Sequence, residues 1–291
     1  LLLVFSCAGL ITKLIGIILI TLDFFIRSCI MILLNGDCLE LMKNLDDNSI
    51  DLVFCDLPYG QTSCAWDCKI DLEKFWVEIM RIKKLNTPLF FTTTTKFGVE
   101  LIQSAPKKCF FRYDLVWIKS AAAGFLTSGK MPMRKHEMIY VFYEKLPFYD
   151  LSSHKHKFKQ VVAEGPLPVS VVKENGVCKN YNAERLYYYD EDGNKLDGYQ
   201  GKGEKYNKYD PPLPDSLLEV KSIKGKRHST EKPVALMEWV LKYYSKEGDT
   251  ILDPTMGSGS TGIACKNLNR EFVGIELNKD FFGVALDRLA A

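Results

Sequence analysis

The sequence predicts an α/β fold: a mixed, mostly parallel sheet with helices on both faces and one inserted region. Three observations carry this expectation. Apolar, strand-like runs alternate with segments whose apolar residues recur at helical spacing, and that order favours a sheet covered on both sides. Near the C-terminal end, a strand, a glycine-rich turn, a helix, a second strand and a terminal acid follow one another in one compact stretch. Between residues 145 and 226 the alternation lapses, and lysines, tyrosines and glycines take over.

Composition agrees with a globular enzyme. The chain has 291 residues, 47% of them hydrophobic and 25% charged, which is enough for one large core with an appended region. A net charge of only +2 argues against a bulk polyanion binder and still permits a local basic face. Nine cysteines without regular pairing suggest a reducing compartment, and a cytoplasmic protein is expected. Cys64 and Cys68 lie close together, but no second pair with zinc-site spacing follows, so no metal is expected.

The first thirty residues stand apart. They are mostly apolar, broken by Lys13, Asp23 and Arg27, and they precede Met31. Each apolar half is short for a membrane span of about twenty residues. The preferred expectation is that Met31 is the natural start; membrane attachment through residues 1–30 is the alternative. The chain then divides into 31–144, a first half of the main domain, 145–226, the inserted region, and 227–291, the second half.

Residues Ile50-Asp51-Leu52-Val53-Phe54-Cys55 read as a buried strand ending in the turn Asp56-Leu57-Pro58-Tyr59-Gly60. That turn brings a carboxylate, a proline carbonyl and an aromatic ring to one rim, the groups that grip an exocyclic amine on a flat base. An ordinary Asp-Pro turn is the plainer alternative. Leu72, Phe75, Trp76, Ile79 and Ile82 mark residues 71–84 as a core-facing helix. Pro88–Thr94 is rich in β-formers and reads as a buried strand. Tyr113–Ile118 and Met138–Tyr143 look like two more, paired antiparallel. In the 145–226 region, lysines suit phosphates while aromatics and amides suit bases, so target recognition is expected there; a solvated insertion is the alternative.

In the last stretch, Val234, Met237, Val240, Leu241 and Tyr244 define one helix face, with Pro233 suited to its first turn. Thr250-Ile251-Leu252 is a short strand, 253–262 a glycine-rich turn, Ile263–Leu268 a helix, and Phe272–Ile275 a strand ending in Glu276. Glycines permit positive φ and let a ligand approach the backbone, and the helix start offers free N–H groups. The carboxylate of Glu276 suits two ribose hydroxyls. A nucleoside-binding unit is the expectation, although a dinucleotide oxidoreductase shares the pattern.

Taken together, the stretch from about Met31 to the C-terminus resembles the adenine-specific, S-adenosylmethionine-dependent DNA methyltransferases of phage and restriction–modification type. The likeness is to their permuted, beta-type order, in which the catalytic tetrapeptide precedes the cofactor glycine loop. Asp56-Leu57-Pro58-Tyr59 resembles the family's Asp-Pro-Pro-Tyr signature, and Leu57 departs from it where proline would stiffen the turn. Asn35-Gly36-Asp37-Cys38, ahead of the first strand, is similar to the acidic contact with the cofactor adenine. His228-Ser229-Thr230-Glu231-Lys232-Pro233 is similar to a His-x-Thr-x-Lys-Pro element beside the methionine end of the cofactor. Lys130–Glu137 also resembles phage members.

The resemblance implies a Rossmann-like methyltransferase fold with S-adenosylmethionine as cofactor and double-stranded DNA as partner, the protein a monomer or dimer. It implies catalytic roles for Asp56, Leu57, Pro58 and Tyr59. Asp37, Pro233, Asp253, Thr255, Gly257, Gly259, Thr261 and Glu276 would bind the cofactor. Lys232 would reach the cofactor carboxylate or a DNA phosphate, or stand exposed before its helix. Trp117 and Lys119 would lie near a flipped base, with Trp117 equally suited to the core. Arg134 and His136 would form a DNA-facing basic edge. Asp56 favours adenine, because cytosine-directed relatives more often carry serine there. Cytosine methylation and a catalytically inactive nucleic-acid binder remain the alternatives.

Overall fold

The computed structural model describes residues 2–6, 30–60, 69–156, 159–162, 173–174, 177–178, 186–189, 195–196, 209–221 and 231–291. Two compact units emerge: Leu1–Asp150 with Asp215–Ala291, and Leu151–Pro214. The Cys64 and Cys68 pair, and His228 to Thr230, lie outside the described residues.

The larger unit begins with strands β1 (Leu2–Ser6), β2 (Met31–Asn35), β3 (Leu52–Cys55), β4 (Leu89–Thr93), β5 (Phe110–Ala123) and β6 (Arg134–Tyr143). Among them lie helices α1 (Cys38–Leu41), α2 (Leu72–Ile82) and α3 (Thr95–Ser104). The smaller unit carries short strands: β7 (Lys155–His156), β8 (Lys159–Val162), β9 (Lys173–Glu174), β10 (Val177–Cys178), β11 (Leu186–Tyr189), β12 (Lys195–Leu196) and β13 (Tyr209–Asp210). They pair antiparallel as β8–β11–β12, β9–β10 and β7–β13. The chain then returns to the larger unit with β14 (Leu217–Glu219), α4 (Val234–Tyr244), β15 (Thr250–Asp253), α5 (Ser260–Asn267), β16 (Glu271–Glu276) and α6 (Lys279–Ala290).

One nine-stranded sheet organises the larger unit, in the order β1-β2-β16-β15-β3-β4-β6-β5-β14. Every pairing is parallel except those of β6 with β4 and β5. The expected antiparallel pair is the β5–β6 hairpin, whose connection passes through Gly124 at φ +95°. All residues of β3 and β4 are buried, as continuous apolar runs in the middle of a covered sheet must be. Adjacent strand residues face opposite sides. Phe91 accordingly meets Phe75 and Trp76 on α2, while its neighbour Phe90 meets Tyr244 on α4. Helices therefore cover both faces.

The helices start where their sequences allow. Asp71 caps α2 by accepting from the Lys74 N–H, and Phe75, Trp76, Ile79 and Ile82 form its buried face. Thr94 caps α3 and Asn278 caps α6. Pro233 is the residue just before α4, one position ahead of the expected first turn. Three other boundaries differ from expectation. The strand expected from Ile50 begins at Leu52, because Ile50 instead bridges to Lys83. Helix α5 starts at Ser260, three residues early, because Gly259 at φ +78° ends the turn there. Asn35 closes strand β2 rather than preceding the first strand, since Met31–Asn35 pairs parallel with β16.

Strands β2, β16, β15, β3 and β4 run parallel and end at one edge. The Asp56 turn and the glycine turn leave from neighbouring strands, with Ile251 and Leu252 in register with Leu52 and Val53. The carboxyl edge of such a sheet is where ligands bind.

Candidate active site

A cavity of about 810 Å³ opens along this edge. Among its lining residues are Asp37, Asp56, Leu57, Pro58, Tyr59, Trp117, Lys119, Arg134, His136, Lys232, Asp253, Thr255, Gly257, Thr261 and Glu276. Those fifteen positions come from seven separate stretches of chain, and all were expected from sequence. Pro233 and Gly259 are not among the lining residues. Pro233 is buried at the start of α4, and a Cβ on Gly259 would come within 3.1 Å of the Ala285 Cβ. Both serve helix placement.

At the Asp56–Tyr59 turn, Asp56 is tied on three sides. Its Oδ1 accepts from the Tyr59 hydroxyl at 2.9 Å and from the Thr92 hydroxyl. Its Oδ2 accepts from the Lys232 ammonium at 2.5 Å. Lys232 also lies 3.3 Å from Glu137 Oε1, and Lys119 pairs with Glu137 Oε2 at 2.7 Å. Lys232 is therefore no exposed lysine, with 9% of its side chain accessible, and its partners are Asp56 and Glu137. Leu57 is buried in the core cluster that includes Phe75, Phe91 and Phe97. The Tyr59 ring packs 5.3 Å from that of Phe97, tilted by 36°.

The charges follow from these contacts. Burial alone would lower the Lys232 pKa, but Asp56 and Glu137 outweigh it and raise the value, so the ammonium persists. Burial works to raise Glu137, but Lys232 and Lys119 overcome it and hold the carboxyl below its usual range. Burial, reinforced by the two carboxylates, pushes the Tyr59 phenol well above its ordinary value and keeps it a hydrogen donor.

In the glycine turn, Asp253 and Glu276 are met by neutral donors. Asp253 is buried and accepts from the Thr255 N–H at 3.1 Å and the Thr261 hydroxyl at 2.6 Å. Burial dominates, and its pKa is pushed up to about 7. Glu276 accepts from the Gly257 N–H at 2.9 Å and the Asn278 N–H at 2.7 Å, with burial raising its pKa as well. Gly257 holds φ +54°, which favours glycine. Gly274 on β16 lets Met256 lie over the sheet, since a Cβ there would stand 2.4 Å from the Met256 sulfur. Asp37 caps α1 by accepting from the Leu39 N–H. The two turns touch through Thr255, whose hydroxyl donates to the Asp56 carbonyl at 3.1 Å.

Trp117 is buried and donates to the Val220 carbonyl at 2.9 Å, with Lys119 5.2 Å over its ring. Arg134 and His136 are exposed on β6. Three groups escaped sequence reasoning. Thr92 offered no motif. Glu137 lay inside the Lys130–Glu137 segment, and its partner became visible only once β6 set it opposite Trp117. Arg288 donates to the Ser258 carbonyl at 2.6 Å and pairs with Glu231 at 3.0 Å, which ties the Lys232 segment to the glycine turn. Among the described residues no cluster fit for a metal ion is present, and no helix is long and apolar enough to cross a membrane.

Comparison with known proteins adds an independent view. A profile of the DNA methylase family matches residues 50–287. The Type II methyltransferase M.HpaI of Haemophilus parainfluenzae is 25% identical over 268 residues, spanning 88% of this chain and 73% of that protein. The Type II methyltransferase M2.DpnII of Streptococcus pneumoniae is 25% identical over 266 residues, 90% of each. Among solved structures, the M1.HpyAVI–SAM complex aligns with a TM-score of 0.56 at 20% identity, over 89% of this chain and 100% of that one.

Proposed function

The chain belongs to the DNA methylase family, and on that footing we propose that it methylates the exocyclic N6 amine of adenine in double-stranded DNA, with S-adenosylmethionine as methyl source. One observation carries the reading: the Asp56–Tyr59 turn and the glycine turn open into the same cavity, from adjacent parallel strands. The donor set suits the cofactor. Asp37 and Glu276 offer carboxylates for an adenine edge and a ribose diol, Gly257 clears the backbone, and an acid-rich wall suits a sulfonium cation. S-adenosylmethionine bound there supplies an electrophilic methyl group that needs only an aligned nucleophile.

Alignment is the task of the chain's own residues. The lone pair of a base amine is delocalised into the ring, so the amine is a poor nucleophile. Asp56 accepts one N–H, and the Leu57 or Pro58 carbonyl accepts the other, favouring a pyramidal nitrogen; the proton that the amine sheds on methylation passes to Asp56 or to water. The Tyr59 ring takes the face of a base turned out of the duplex. Trp117 and Lys119 wall the far side, and Arg134 and His136 meet the phosphates. Positioning and fixed electrostatics supply the rate. Asp56 at the head of the tetrapeptide supports adenine over cytosine. Residues 145–226, between the two halves, are the candidate reader of target sequence. Such an enzyme works on DNA in the cytoplasm.

The test is methyl transfer by the full chain from labelled S-adenosylmethionine to unmethylated duplex DNA, read by nucleoside mass spectrometry. N6-methyladenine is expected. N4-methylcytosine would correct the base and keep the mechanism; no transfer to any duplex would overturn the reading.

A further inference from the structure

We propose that Lys232 and Glu137 are positioning residues, which hold the Asp56 carboxylate in place with one acceptor position left for the target amine. The inference rests on the cavity being a site of amine methylation. A carboxylate has roughly four acceptor positions. At Asp56 three are taken, by the hydroxyls of Tyr59 and Thr92 and by the ammonium of Lys232. The side chain keeps 27% exposure and lines the cavity, so the remaining position opens there. One N–H of an incoming amine fills it, and the other must turn elsewhere. The rotation of the amine about its bond to the ring is thereby set.

Lys232 and Asp56 alone already make a neutral pair, buried on the lysine side. Glu137, 3.3 Å away, shares the ammonium, and Lys119 in turn holds Glu137. Two carboxylates and two ammoniums make a neutral cluster. The Tyr59 hydroxyl lies within reach of both acids, at 2.9 Å from Asp56 and 3.5 Å from Glu137. The elements around it contribute Asp56 and Tyr59 after β3, Thr92 from β4, Lys119 from β5, Glu137 from β6, Lys232 before α4 and Asp253 at the end of β15. Without the Lys232 cation, Glu137 loses the larger of the two cationic influences that hold its carboxyl down, and its proton affinity rises.

The experiment pairs kinetics with titration. Lys232→Met should lower kcat about 100-fold at neutral pH, on the scale of losing one preorganised electrostatic contact. Its kcat should climb as pH rises, and its cofactor affinity should stay within a few-fold. Lys232→Arg should keep a flat profile. Adding Glu137→Gln to Lys232→Met should remove the pH dependence and restore part of kcat, an outcome that a packing role does not produce. Should Lys232→Met not fold, Glu137→Gln alone should still lower kcat several-fold with cofactor affinity kept. Unchanged kcat in either variant would overturn the proposal. Infrared titration of the carboxylates, without DNA, separates this from the methylation reading. Proton uptake at higher pH in Lys232→Met than in the parent supports the cluster even if no DNA is methylated. Identical titrations would overturn it whatever the activity.

Discussion

Around Asp56 and Glu137, buried negative charge is met by lysine ammoniums at 2.5 to 3.3 Å. Around Asp253 and Glu276, on the same cavity wall, it is met by backbone N–H groups and a threonine hydroxyl. Among the described residues no ion pair reaches either acid. Burial penalises charge in both places; the lysines outweigh that penalty at Glu137, and the neutral donors at Asp253 and Glu276 do not. Glu137 is held below the usual carboxylate range, while Asp253 rises to about 7 and Glu276 also shifts upward. The same residue type, glutamate, is thus held down at position 137 and pushed up at position 276. On the proposed function, the first lies beside the target amine and the second beside the cofactor.

The hardest blow to this contrast is Asp56→Ala. Methyl transfer should fall by about 100-fold to 1,000-fold, the usual cost of one preorganised polar contact. Cofactor affinity measured by calorimetry should stay within a few-fold, and unaltered turnover would break the assignment of the amine side. Glu276→Ala should do the reverse. It leaves the Gly257 and Asn278 N–H groups without their acceptor, costing about 1–3 kcal/mol. Calorimetry should then show cofactor binding weakened by about 10-fold or more at the same energy scale.

A third test uses pH. Asp253 has a folded pKa above its ordinary 3.8, so its stabilising contribution is full in acid and is lost as pH rises from about 4 through about 7. That shift is on the order of 4 kcal/mol at most. Glu137, held below its ordinary 4.5, contributes above that value and loses the contribution as pH falls beneath it. Melting temperatures across pH should therefore show a loss as pH rises from about 4 to about 7 that Asp253→Asn flattens, and a loss below about 4.5 that Glu137→Gln flattens. Matching profiles in the two variants would dissolve the contrast.

The smallest effect on turnover is expected from Leu57→Pro, which restores the residue the family more often carries. Leu57 is 2% exposed and belongs to the core, so replacing its side chain should cost about 2 kcal/mol or more in stability, while the effect on turnover stays small. Turnover should stay within a few-fold in a rate assay, because the acceptor side chain and the Pro58 carbonyl are untouched. A large gain in rate would mean that Leu57 loosens the turn.

Legibility tracked sequence distance. The strand, glycine turn, helix and strand of 250–276 were readable because they are contiguous and each carries its own pattern. Their boundaries slipped where a single backbone conformation decided the matter, as at Gly259. Asp56, Tyr59 and Glu276 were readable as short motifs whose chemistry follows from residue type. Thr92 and Glu137 were not, because a threonine or glutamate on a strand has no signature until its cross-strand neighbours are known. Lys232 was noticed within its motif but its partner was not, since Asp56 lies 176 residues away.

By itself, then, the sequence determined the α/β class, the two turns and the residue types on each, since periodicity and turn chemistry are local properties of the chain. Only the tertiary structure decided that β15 lies beside β3, which brings the two turns onto one cavity. It also decided that Lys232 pairs with both Asp56 and Glu137. Ionic state in a buried site depends on which charges meet across space, and no one-dimensional pattern records that.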